Sequence, residues 1–121
     1  LISGHPRQAP DGTFDGPYGQ VGKDLTMEEA QDAAEGIALS VLSNLKAEIG
    51  DLSRIKGWVR VFGMVNSAPG FSEQHLVING FSNLIMKVFG AKIGRHARSA
   101  IGVAGLPLNF AIEIEGEVLL D

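Results

Sequence analysis

The 121-residue sequence contains no cysteine. That excludes a disulfide framework, a thiolate metal site and a cysteine nucleophile together. It also fits a cytoplasmic location, which is the expectation carried forward. Basic charge is scarce: ten Lys and Arg stand against fourteen Asp and Glu, for a net charge of −4. A nucleic-acid binder ordinarily shows a basic patch or stripe, and none is visible, so nucleic acid is not the expected partner. No apolar run approaches the roughly 18 residues that suggest a membrane helix, and no membrane partner is expected. Nothing near the N-terminus reads as a secretory leader. Two catalytic signatures are missing as well. The segment "SGHPRQAPDG" lacks the Lys-Ser/Thr of a phosphate-binding loop, and no Gly-x-Ser-x-Gly elbow occurs.

The remaining composition is that of a globular protein. Apolar residues make up 45% and charged residues 20% of the chain, and this length suits one core. The expectation is a single domain over residues 1–121. The chain opens on Leu1-Ile2-Ser3-Gly4, which looks like the second half of a strand. Further residues are therefore expected to precede it.

The clearest element is a helix from Thr26 to Ile49. Thr26 and Glu29 form a capping-box pair. Apolar residues from Ala30 to Ile49 recur at helical spacing, and Gly50 is placed to end the helix. A second helix is expected from Phe71 to Gly90, capped by Ser72 and stapled by Phe71 against Leu76. Strands are expected at Leu1–Gly4, Thr13–Gly22, Ile55–Asn66, Arg98–Leu106 and Phe110–Leu120. The first two would form a hairpin across a long polar loop. The order β-β-α-β-α-β-β implies an α+β fold: one mixed sheet with both helices on one face.

Side-chain alternation assigns faces. Ile112, Ile114, Val118 and Leu120 share one side of the last strand, and Glu113, Glu115 and Glu117 share the other. The bulky set should meet the helices. Arg98 and the glutamates would then lie together on the uncovered face. If Val59 and Val61 also face the helices, then Trp58, Phe62 and Met64 are left bare, which marks a partner interface. A cyclic homo-oligomer packing these faces together is the natural solution, with Trp58 as interface packing.

The stretch Ala97-Arg98-Ser99-Ala100-Ile101-Gly102-Val103-Ala104-Gly105-Leu106-Pro107, followed by Ile112-Glu113-Ile114, resembles the C-terminal signature of the YjgF/RidA family, also called the L-PSP endoribonuclease family. Ser3-Gly4 resembles the "SG" that ends that family's first strand. The likeness spans essentially the whole chain. It implies a chorismate-mutase-like fold and a homotrimer whose sheets form a central barrel with clefts between subunits. In members that are imine deaminases, the signature arginine binds the substrate carboxylate; that position is Arg98. The matching glutamate, Glu113, is thought to position water, and Gly4 contributes backbone groups to the pocket. Departures occur around the motif. His96 precedes the Ala-Arg pair where Pro or Ala is usual, Ala100 stands where a cysteine is common, and His5 follows Ser-Gly where Gln is common. No counterpart is visible for the N-terminal tyrosine of some deaminases. These features suggest a divergent subgroup.

The resemblance thus implies a hydrolytic deaminase acting on small reactive imine or enamine acids, of the 2-iminobutanoate/2-iminopropanoate type, with no metal and no organic cofactor. Arg98 and Glu113 are the candidate catalytic residues, and Gly4, His5, His96 and Ala100 the candidate substrate-binding residues. Three histidines without ligand spacing do not make a metal site. Two alternatives stand beside this reading: a non-catalytic trimer that binds a small carboxylate metabolite, and the ribonuclease of the family's older name.

Overall fold

The computed structural model describes residues 1–121. It contains β1 (Ile2–His5), α1 (Met27–Ile49), β2 (Ile55–Asn66), α2 (Gln74–Gly94), β3 (Ala97–Val103) and β4 (Ile112–Leu120). The four strands form one mixed sheet in the order β1-β4-β2-β3. β2 pairs antiparallel with β4 and parallel with β3, and β1 closes the other edge against β4. The last two strands, expected to be joined by a short turn, therefore lie on either side of β2.

Helix α1 forms as its sequence dictates. Glu29 N–H donates to Thr26 Oγ1 at 3.1 Å, and Thr26 N–H donates to Glu29 Oε1 at 3.2 Å. The two bonds satisfy donors that an open helix start would leave bare. At the other end Gly50 takes a positive φ of 88°, and its N–H reaches the Lys46 carbonyl at 2.9 Å. The buried stripe is made largely of small residues: Ala30, Ala33, Ala34 and Ala38 beside Ile37 and Val41. Small side chains let α2 approach closely. A Cβ at Gly80 of α2 would fall against the backbone carbonyl oxygen of Gln31 in α1.

Three expectations change. Thr13–Gly22 is not a strand. It makes isolated bridges only, from Phe14, Tyr18 and Val21, because Gly16 at φ 71° and Pro17 turn the chain within it. The segment instead lays Phe14 and Tyr18 against Phe110, with ring centroids at 5.2 and 5.5 Å. Helix α2 begins at Gln74 after an N-cap Glu73 that makes no side-chain cap bond, so Ser72 does not cap it. Gly90 does interrupt it, at φ 76°, but one more helical turn follows and ends at Gly94. By length and composition α2 could cross a membrane, with a mean hydropathy of 1.2 over its most apolar window. Here Val77, Ile78, Phe81 and Ile85 are instead buried in the core shared with α1 and the sheet.

The third change concerns faces. Against β4 the register of β2 slips twice, between Ile55 and Gly57 and again between Trp58 and Arg60. Each bulge puts two residues opposite one and inverts the alternation. Ile55, Trp58, Val61, Gly63 and Val65 therefore point to the helices, while Val59 is exposed. Trp58 is not interface packing. It is 4% exposed and stands between Phe81 and Phe89, with centroids at 6.0 and 5.8 Å. Phe62 and Met64 are half-buried on the open face, as expected of an uncovered sheet.

Candidate functional site

Arg98 is near the start of β3, opposite Val61 of β2. Val61 faces the helices, and so does Arg98. This corrects the expectation that Arg98 shares the open face with the glutamates. The guanidinium lies along α2, where Nη1 donates to Asn79 Oδ1 at 2.9 Å and to Ser82 Oγ at 3.2 Å. Nη2 approaches the His75 carbonyl at 3.4 Å. Small neighbours on β3 make room. Ala100 and Gly102 also face the helices, and a Cβ at Gly102 would come within 2.9 Å of Ser67 Oγ.

An open cavity of about 300 Å³ runs beside this arginine. Asn79, Ser82, Met86, Arg95, His96 and Arg98 line it. Its charged groups are cationic, and no carboxylate joins them. Arg7 and Arg54 each sit within 3.3 Å of an aspartate, whereas Arg98 has no acidic partner in the chain. Partial burial holds the Arg98 guanidinium below its usual pKa, yet such a group stays protonated at any physiological pH. The result is a charged fork fixed on one edge by neutral acceptors, suited to an anionic ligand.

Glu113 occupies a different place. It pairs with Met64 in the sheet and lies on the open face. Arg98 and Glu113 are thus on opposite faces, with β2 between their strands. One chain does not bring them together. Glu113 is grouped instead with Gly4 and His5: a Cβ at Gly4 would meet Glu113 Oε2 at 2.9 Å and displace the carboxylate. Burial raises the Glu113 pKa, and the His5 charge opposes that rise. Glu115 and Glu117 follow on the same face.

His5 and His96 are held alike. His5 Nδ1 is 2.6 Å from the Ser3 carbonyl, and His96 Nδ1 is 2.6 Å from the Gly94 carbonyl. A carbonyl only accepts, so each Nδ1 carries a proton, and in the neutral ring each Nε2 is left as an acceptor. His5 Nε2 takes a bond from Asn44 of α1 at 3.0 Å, and His96 Nε2 one from Ser82 of α2 at 2.9 Å. Asn79 and Ser82 escaped the sequence reading. The signal available was two polar residues, three apart, beside the apolar stripe of α2.

The raised Glu113 pKa gives a pH prediction. The folded state favours the protonated carboxyl. That contribution to stability is complete below the unfolded value, about 4.3, and is lost as pH rises through the higher folded value. Glu113→Gln imitates the neutral form at every pH. Its stability relative to the parent should therefore increase between about pH 4 and pH 7. Urea unfolding at several pH values checks this, and a difference that shrinks with rising pH would contradict the burial argument.

Residues 14–114 match the family model described as "YjgF/chorismate mutase-like, putative endoribonuclease". Protein TCP17 of Trypanosoma cruzi is 50% identical over 103 residues, which are 85% of this chain and 64% of that protein. The chain therefore spans under two thirds of the length of that curated relative. The crystal structure of Atu1372 from Agrobacterium tumefaciens, a protein of unknown function, superposes with a TM-score of 0.91 at 46% identity, covering 98% of this chain and 74% of that one. A "putative endoribonuclease" from Shewanella oneidensis superposes at 0.84 with 31% identity, covering 93% and 72%. With the helix pair on one mixed sheet and the signature arginine at the start of β3, the chain belongs to the YjgF/chorismate-mutase-like family.

Proposed function

We propose that the chain is a cytoplasmic hydrolytic deaminase that converts small reactive imine or enamine acids to keto acids and ammonia. The observation that carries this reading is Arg98: a protonated fork without an acidic partner, beside an open cavity of about 300 Å³. Arg98 grips the substrate carboxylate and so fixes the neighbouring C2. An enamine first shifts a proton from nitrogen to C3 to become the imine; water then adds to C2, its two protons pass in turn to nitrogen, and the C–N bond breaks as the C=O bond forms and ammonia departs. Neither an oxidant nor an organic cofactor is required for this hydrolysis, and no metal enters the proposed steps. Glu113 takes and returns the proton, and the burial that raises its pKa makes it a stronger base than a free carboxylate.

Because Arg98 and Glu113 occupy opposite faces of one sheet, this reading requires Glu113 from a second subunit. A homotrimer in which the β3 edge of one subunit meets the Glu113 side of the next would supply it, and the half-buried Phe62 and Met64 on the open face support packing of that face. Sedimentation should give three times the 12.8 kDa chain mass, and a monodisperse monomer would remove the shared site. The activity itself is tested with 2-aminoacrylate generated in the assay, following pyruvate. Release faster than the spontaneous rate supports the deaminase, and an unchanged rate rejects it.

The same opposite-face geometry favours one second reading, a trimer that binds small carboxylates through Arg98 without turnover. The ribonuclease reading has less support, since the chain is acidic at −4 and Arg98 is bordered by few other cations. Activity of that kind would fall steeply with salt.

A further inference from the structure

Beside Arg98 runs a chain of hydrogen bonds that ordinary helix geometry does not account for. A serine inside a helix commonly returns its hydroxyl proton to the carbonyl four residues earlier. Ser40 of α1 does so, donating to the Gly36 carbonyl at 3.1 Å. Ser82 of α2 does not. Its oxygen is 2.9 Å from His96 Nε2 and accepts from Arg98 Nη1 at 3.2 Å.

With the imidazole neutral, the direction of each bond follows. The Gly94 carbonyl, at 2.6 Å, fixes the proton on His96 Nδ1. Nε2 then has only a lone pair to offer, and the Ser82 hydroxyl must donate to it. With its proton drawn to His96, the Ser82 oxygen turns its lone pairs toward Arg98, whose guanidinium can only donate. Asn79 Oδ1 takes the second bond from the same Nη1 at 2.9 Å. Without His96, the hydroxyl would regain the Ile78 carbonyl, as Ser40 uses Gly36, and its lone pairs would swing away.

We infer that His96, acting through Ser82, is a positioning residue that holds the Arg98 guanidinium in the orientation that receives the substrate carboxylate. The proline or alanine that often fills this position elsewhere has no acceptor to offer, so the device belongs to the chain's own departure from the family pattern. The part of the inference that concerns substrate rests on the deaminase reading; the part that concerns Arg98 does not.

The experiment is arranged accordingly. The Arg98 side-chain N–H signals are followed by ¹⁵N NMR in the ligand-free full chain, with Arg98→Lys supplying the assignment. Rotation of the guanidinium should be about fivefold or more faster in His96→Ala and in Ser82→Ala, as expected when a bond of about 1 kcal/mol is lost. His96→Gln, whose amide oxygen can accept from Ser82, should restore slow rotation. The double variant should be no faster than either single one, since both break the same link. With 2-aminoacrylate as substrate, KM should rise about fivefold to tenfold in His96→Ala with kcat nearly unchanged, the sign of lost uniform binding. Unchanged Arg98 rotation in both single variants would overturn the inference whatever the activity. So would additive effects, or a loss that His96→Gln does not repair. A parent protein that turns over nothing would overturn the deaminase and the substrate role of this link, while the NMR result would still decide whether His96 positions Arg98.

Discussion

Arg98→Ala is expected to reduce kcat/KM for 2-aminoacrylate by about 100-fold or more, the largest effect of any single substitution in the site. Two charge-assisted bonds to a carboxylate are lost together, and each is worth roughly 1.5–3 kcal/mol. Partial exposure of the guanidinium discounts the sum to about 3 kcal/mol, or somewhat over two orders of magnitude. Arg98→Lys retains the charge but not the fork, and a compact ammonium cannot reach both carboxylate oxygens in parallel. It should fall between the two, at a loss of roughly tenfold to fiftyfold. The melting temperature is the control. Arg98 is only partly buried and its partners Asn79 and Ser82 stay accessible to water through the open cavity. Unfolding should therefore move little while activity collapses. If Arg98→Ala kept full turnover, the carboxylate would be held elsewhere and the proposed site would be wrong. If it lost activity only by unfolding, the arginine would be a structural strut.

That prediction uses a residue the sequence identifies and a setting it does not. The signature around Ala97–Gly105 is read directly from the chain, and it places Arg98 on β3. The face it occupies is another matter. Alternation puts Ile101 and Val103 opposite Arg98 on β3, and bulk alone would send those two toward the helices. In the structure Ile101 faces outward and is 42% exposed, while Ala100 and Gly102 turn inward. Helix α2 runs so close to the sheet that small residues are needed beneath it. A Cβ on Gly63 would press into Ile78, and one on Gly102 would crowd Ser67 and Gln74. Size, in this sheet, reports the distance to the helix above and not which face is core.

The bulges of β2 were hidden for a related reason. Nothing at Lys56 or Val59 marks an extra residue, and Trp58 looks as apolar on one face as on the other. The mark lies on the partner strand. Gly116 breaks the Ile-Glu alternation of β4, and a Cβ there would come within 2.9 Å of the Arg60 carbonyl oxygen. A bulge on one strand is legible only when the strand opposite it is known. By contrast α1 was legible to within a residue, because its start, its stripe and its stop are all local: Thr26 with Glu29, the alanine-rich repeat, and Gly50. The same rule separates the site residues. Arg98 and Glu113 lie in contiguous motifs. Asn79 and Ser82 reach Arg98 across 19 and 16 residues, by a helix returning over its own strand.

Gly80 joins this packing to the site, and Gly80→Ala should cost about 2–3 kcal/mol of stability, lowering the melting temperature by roughly 8–15 °C. Intrinsic propensity argues the other way, since alanine is favoured over glycine within a helix by about 1 kcal/mol. Sterics win because the obstacle is backbone. The new methyl would fall on the Gln31 carbonyl oxygen, with the carbonyl carbon at 3.0 Å. Neither can rotate away, and Gln31 is further tied to α2 by its side-chain bond to the Leu76 carbonyl at 2.7 Å. Gly36 of α1 is the comparison. A Cβ there would meet only the Arg7 side chain, a flexible group that can swing aside, so Gly36→Ala should be close to neutral. Thermal unfolding of the two variants side by side checks the argument, and a Gly80→Ala protein as stable as its parent would mean that the helices do not approach as closely as the backbone contact requires. The consequence reaches the proposed chemistry. Gly80 stands between Asn79 and Ser82, so any shift of α2 away from α1 moves both acceptors of Arg98 at once. Where Gly80→Ala remains folded, its Arg98 should rotate more freely, with the close crossing of two alanine- and glycine-lined helices acting as the outermost support of the carboxylate site.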